Sequence, residues 1–176
     1  MYSVLSNHTY PLSLLVSLPV GFENFGLMVG LTDSGVFRLT STGATRLAQP
    51  DGSTKLLVAD GTPRRFGHTI HNNRLFFVNE LNPVHTTEGT QVRQIANSPK
   101  GWYVEVFFDH IVVGRPIYNG TESPNRIQWS HLYNFEEWRA DTHTEADFFD
   151  CVEHQIDEGF TGVTGIRRLG PILCTY

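Results

Sequence analysis

A chain of 176 residues, 40% hydrophobic and 12% aromatic, can bury one core, and that excludes a disordered polymer. A formal net charge of -5, with only 18% charged residues, argues against a module that grips nucleic-acid phosphates, which at this size is ordinarily basic. Sixteen glycines and nine prolines supply turn chemistry in quantity and predict many short strands.

In chain order, the apolar stretch Leu12 to Val20 is interrupted by Ser13, Ser17 and Pro19 and has no basic region before it. It therefore reads as a strand over Ser13–Leu18, with neither a signal peptide nor a membrane span expected. Strands follow at Phe25–Leu31 and Val36–Thr40, joined by Asp33-Ser34-Gly35, and Ser41-Thr42-Gly43 makes the next turn. Asp51-Gly52 and Asp60-Gly61 bracket a run at Lys55–Ala59; such pairs accept the positive dihedrals of tight turns. Gly67–Ile70 and Leu75–Val78 flank the turn His71–Arg74, and Gln91–Ile95 follows after a polar loop. Trp102–Phe108 and Ile111–Gly114 flank Asp109-His110; the loop Tyr118–Pro124 then leads to Arg126–Ser130. Glu136–Gly159 is irregular and acidic, and Ala146–His154 within it fits a short helix. Gly162–Ile166 turns through Arg167–Gly170 into Pro171–Tyr176. That final apolar run needs a strand beside it, so the chain is expected to be a fragment or to be completed by an assembly partner.

A hairpin, a polar loop and a further strand recur, with second strands starting near 27, 75, 111 and 172. The expected fold is all-β: one domain of propeller-like blades, or a piece of a larger propeller, with a β-sandwich as the alternative.

Chemistry-bearing patterns are sparse. The chain has no nucleophile-elbow, zincin, P-loop or dinucleotide motif. Glu136 and Glu137 are adjacent and would face opposite sides of a strand, which suits no paired-carboxylate hydrolase. His68 and His71 flank a turn and read as structural. Asp141, Glu145 and Asp147, with His143, share one face of an extended segment and could hold a hard cation, but a solvated acidic loop is the stronger reading. Cys151 and Cys174 read as two reduced, buried thiols. No catalytic residue, metal or cofactor is expected.

The segment Asn125-Arg126-Ile127-Gln128-Trp129-Ser130-His131-Leu132 alternates, placing Ile127 and Trp129 on one strand face; Phe135-Glu136-Glu137-Trp138 follows. With Asp157-Glu158-Gly159-Phe160-Thr161-Gly162-Val163-Thr164-Gly165-Ile166 it resembles the β-propeller-like tail nozzle and neck-accessory proteins of tailed bacteriophages, over roughly residues 110–176. The match departs where those proteins have Asp and this chain has His131, and again at Leu132-Tyr133-Asn134. The resemblance implies a structural virion component of the tail or neck, in a ring around the DNA exit channel. Its partners would be copies of itself, neighbouring tail, adaptor or portal proteins, and passing DNA held without specific binding. It also implies that Trp129 and Trp138 form an internal packing pair with Ile127, and that Ile172, Leu173, Cys174, Thr175 and Tyr176 form an edge completed by further blades. The alternative is a carbohydrate-binding or glycan-cleaving β-propeller.

Overall fold

A computed structural model describes residues 12–18, 27–32, 35–53, 57, 60, 62, 64–132, 134–138, 146–150 and 162–176. Among them the chain is all-β, built of antiparallel sheets, none of which closes on itself. The first sheet is a meander of β1 (Leu12–Leu18), β2 (Leu27–Thr32), β3 (Gly35–Thr40) and β4 (Gly43–Arg46). The second repeats that order with β5 (Gly67–His71), β6 (Arg74–Val78), β7 (His85–Thr87) and β8 (Val92–Gln94). The third runs β9 (Tyr103–Phe107), β10 (His110–Gly114), β13 (Arg126–Trp129) and β14 (Asp147–Asp150). A small ribbon, β11 (Ile117–Tyr118) and β12 (Thr121–Glu122), is inserted between β10 and β13. The last element is a two-stranded ribbon, β15 (Ile166–Leu169) and β16 (Ile172–Thr175).

Three hairpins close on two residues with positive φ: Asn72 and Asn73 (48° and 61°), Phe108 and Asp109 (46° and 60°), and Asn119 and Gly120 (49° and 80°). Two consecutive positive φ values make the turn whose twist matches that of its strands. Asn, Asp and Gly tolerate this backbone; Phe108 does so as an exception, with its ring 4.4 Å from that of Phe107.

The sheets stack in chain order because their strands alternate. In β6, Leu75 and Phe77 join a core with Val16, Leu18, Val29 and Leu31 of the first sheet. Phe76 and Val78 point the other way, into a core with Val104, Val106, Ile111 and Val113 of the third. Val112, between two of these, faces the terminal ribbon with Val163 and Ile166. The second sheet thus buries both faces, each large side chain contributing about 1.5–3 kcal/mol. At the start of β5, a Cβ on Gly67 would lie 2.4 Å from the Trp102 carbonyl oxygen, so only glycine allows β5 this close to the strand entering β9.

Three sequence expectations change, and a fourth falls largely outside the described residues. The turn expected at Asp109-His110 sits one residue earlier, and His110 opens β10 opposite Phe107. This register sets Ile111 beside Val106 and Val113 beside Val104; a one-residue slip would turn all four out of their core. The helix expected over Ala146–His154 is a strand at Asp147–Asp150, where β14 supplies backbone partners to β13; the rest of that expectation lies outside the described residues. The last hairpin pairs Ile166–Leu169, not Gly162–Ile166, with Ile172–Thr175, and its turn is Gly170-Pro171, not Arg167–Gly170. Gly170 takes the positive φ, 61°, and the turn holds Pro171, which has no N–H to donate to a ladder. Of the expected strand Lys55–Ala59 only Leu57 is described; its side chain is buried in the first core.

Candidate assembly site

The face of β13 that carries Ile127 and Trp129 meets the terminal ribbon. Both residues are half-buried and pack with Val112, Val163, Ile166 and Leu173. The strand alternation therefore reads correctly. Trp138, however, is not their partner. It is 2% exposed and lies in the opposite core, between the second and third sheets. The sheet itself separates the two tryptophans: Gln128, pointing away from Trp129, donates Nε2–H to the Trp138 carbonyl at 3.0 Å. The intervening loop brings Trp138 there. The His131 N–H donates to the Glu137 carbonyl at 2.8 Å, Trp138 Nε1–H donates to the Phe135 carbonyl at 2.6 Å, and Arg93 of β8 pairs with Glu136 at 2.5 Å.

A buried carboxylate joins the first strands of successive sheets. Glu105 of β9 is 8% exposed. Its Oε1 accepts from the Thr69 hydroxyl of β5 at 2.5 Å and from the Val106 N–H at 3.0 Å. Its Oε2 accepts from the Arg168 N–H of β15 at 3.4 Å, with the Arg167 guanidinium 3.9 Å away. One side chain thus ties β5, β9 and β15, satisfying a buried charge that would otherwise be very costly. Sequence reading overlooked it; the signal was a lone acid between valines in an otherwise apolar strand.

His68 and His71 do not flank a turn: both lie on β5, three residues apart and so on opposite faces, and the turn is Asn72-Asn73. His71 meets Asp109 at 3.1 Å, linking the tips of two neighbouring hairpins. His68 is partly buried near Glu105 and Arg167. Burial holds its pKa below the ordinary value, assisted by Arg167 and opposed by the Phe66 backbone and by Glu105. No group of acidic, histidine and cysteine residues among the described ones is arranged to hold a metal ion. Asp147 is exposed on β14; Asp141, His143, Glu145 and Cys151 lie outside the described residues.

The terminal ribbon exposes large apolar side chains beside Arg167, Arg168 and Thr175. Leu169, Ile172 and Tyr176 are 69%, 58% and 62% exposed, whereas Leu173 and Cys174 are half-buried. Pairing extends past β16: the Gly165 N–H donates to the Tyr176 carbonyl at 2.8 Å, and the Tyr176 N–H returns to Gly165 at 3.1 Å. Among the described residues, β16 has a partner strand on one side only, whereas β2, β6 and β10 have one on each side. No family model matches this chain, and no curated protein matches it in sequence. The ribbon, its half-covered aromatic face and its open edge therefore rest on geometry alone. No helix among the described residues is long and apolar enough to cross a membrane.

Proposed function

We propose that this chain is a structural component of a tailed-phage virion, in the tail or neck, where its sheets act as blades of a propeller-like stack within a ring around the DNA exit channel. It works by assembly and carries out no reaction. Support for blades over a two-layer sandwich comes from the second and third sheets, which bury apolar side chains on both faces. The observation that carries the assembly reading is the terminal ribbon: an apolar strand, open on one edge, over a half-covered aromatic face. Exposed edges of this kind pair with other chains. The partners are further copies and neighbouring tail, adaptor or portal proteins, which add strands or surface against Ile172–Tyr176. Passing DNA is not held, because a chain of net charge -5 offers phosphates little counterion release.

Light scattering coupled to size exclusion, followed by electron microscopy of the purified chain, tests this. Rings or higher oligomers that dissociate when the edge is charged are expected. A monomer with cooperative unfolding and no ring-forming partner in virions would overturn it.

A further inference from the structure

Beside the seam of β5, β9 and β15 lies a groove of about 560 Å³, a size typical of small-ligand sites. Among the described residues its lining includes the guanidinium groups of Arg64, Arg65 and Arg167 and the carboxylate of Glu80. Arg64 is engaged by Asp60 and Glu80. Arg167 has Glu105 behind it at 3.9 Å but is 63% exposed, and Arg65 is exposed. Among the described residues the groove therefore presents two accessible guanidinium groups, Arg65 and Arg167. Trp102 and Tyr103 line the same groove, and the Arg115 guanidinium sits 5.0 Å from the Trp102 ring centroid. Thr164 and Tyr176 add hydroxyls to the wall. The floor is fixed by glycines: a Cβ on Gly165 would lie 2.5 Å from the Tyr176 ring, as one on Gly67 would press on the Trp102 carbonyl.

We propose that this groove binds a carboxylated sugar, a uronic-acid type of saccharide, a role that goes beyond assembly. Guanidinium forks match a carboxylate's two oxygens in plane. Aromatic side chains offer an apolar face to the C–H side of a pyranose ring and a polar tip to its surroundings. The hydroxyls of Thr164 and Tyr176 and the carboxylate of Glu80 suit a ring bearing several hydroxyls. A phosphate dianion has no hydrogen to give the Glu80 carboxylate in the lining, whereas ring hydroxyls donate to it.

Isothermal titration of the full chain with trigalacturonate, maltotriose and adenosine monophosphate tests the proposal. Trigalacturonate is expected to bind, and the neutral trisaccharide and the nucleotide to bind at least about tenfold more weakly, the worth of one charge-assisted hydrogen bond. Arg65→Ala and Arg167→Ala should each weaken trigalacturonate by about tenfold or more, while Arg38→Ala, exposed on β3, changes nothing. Thermal midpoints are read in parallel; Arg65→Ala, altering an exposed side chain, keeps the test valid if Arg167→Ala unfolds the seam. No binding in the millimolar range, equal binding of maltotriose, preference for the nucleotide, or indifference to Arg65→Ala would each overturn it.

Discussion

The two faces of the third sheet are finished to different degrees. Toward the second sheet the core side chains are nearly inaccessible, from Phe76 and Ile95 to Ile111 and Trp138, with Phe135 alone covered in part among the described residues. Toward the terminal ribbon, only Val112, Val163 and Ile166 are buried, while Tyr103, Phe107, Ile127, Trp129 and Leu173 are covered in part. One face is sealed by four strands and the other by two. The same β9 and β10 thus supply a completed core and an interface still open to more surface. The lesson is that this sheet is interior on one side and joint-like on the other.

Truncation on the sealed face should cost most. Phe76→Ala is expected to destabilise by about 3–5 kcal/mol, read as a lower denaturation midpoint with unchanged slope. On the open face, Trp129→Ala should cost about 1–3 kcal/mol in the isolated chain, since the ring is only half-buried. Equal losses at the two sites would erase the distinction. In an assembled ring the second loss should grow toward the first, because partners would complete the burial.

Acid should act on the open side through His68. Its folded-state pKa lies below the ordinary value of 6.5, so its contribution is intact above about pH 6.5 and is lost as pH falls further. The exposed Asp51 and Asp60, held below 3.8, respond only at far lower pH. Thermal midpoints between about pH 7 and 5 should fall more steeply for the wild type than for His68→Gln. Parallel curves would remove His68 from the account. The smallest effect on stability belongs to Ile172→Lys, within about 0.5 kcal/mol because the side chain is exposed. That change should nevertheless shift the oligomer distribution toward smaller species on light scattering.

The strands with apolar alternation were legible: Leu75–Val78, Ile111–Gly114 and the pairing of Ile127 with Trp129 on one face all follow from period two. Polar strands were not. His85-Thr86-Thr87 of β7 and Gly43–Arg46 of β4 carry no apolar rhythm and are strands because neighbours supply their ladders. Asp147–Asp150, acidic at both ends, is fixed by pairing with β13, a tertiary effect that local propensity cannot report. The separation of Trp129 from Trp138 was hidden for a related reason. Sequence distance across a turn does not say on which side of a sheet the returning chain lands, and here Phe135 and the Arg93–Glu136 pair draw it to the far side. The groove was invisible because its walls come from three segments remote in sequence, around residues 65, 102 and 165.

The chain-order meander has a kinetic corollary. The second sheet is made of strands adjacent in sequence, as is the first, and β5–β6 and β9–β10 close on two-residue turns that form on the microsecond scale. Contacts this local are associated with rapid barrier crossing for an all-β chain. As residues emerge from the ribosome, each finished sheet can offer its outward apolar face as a template for the next, so ordering proceeds from the N-terminal side. β13 has to wait for the β11–β12 insertion, and β14 for the longer stretch after β13, which makes completion of the third sheet the slow event. Pulse-labelled hydrogen exchange should then protect β5 and β6 before β13 and β14.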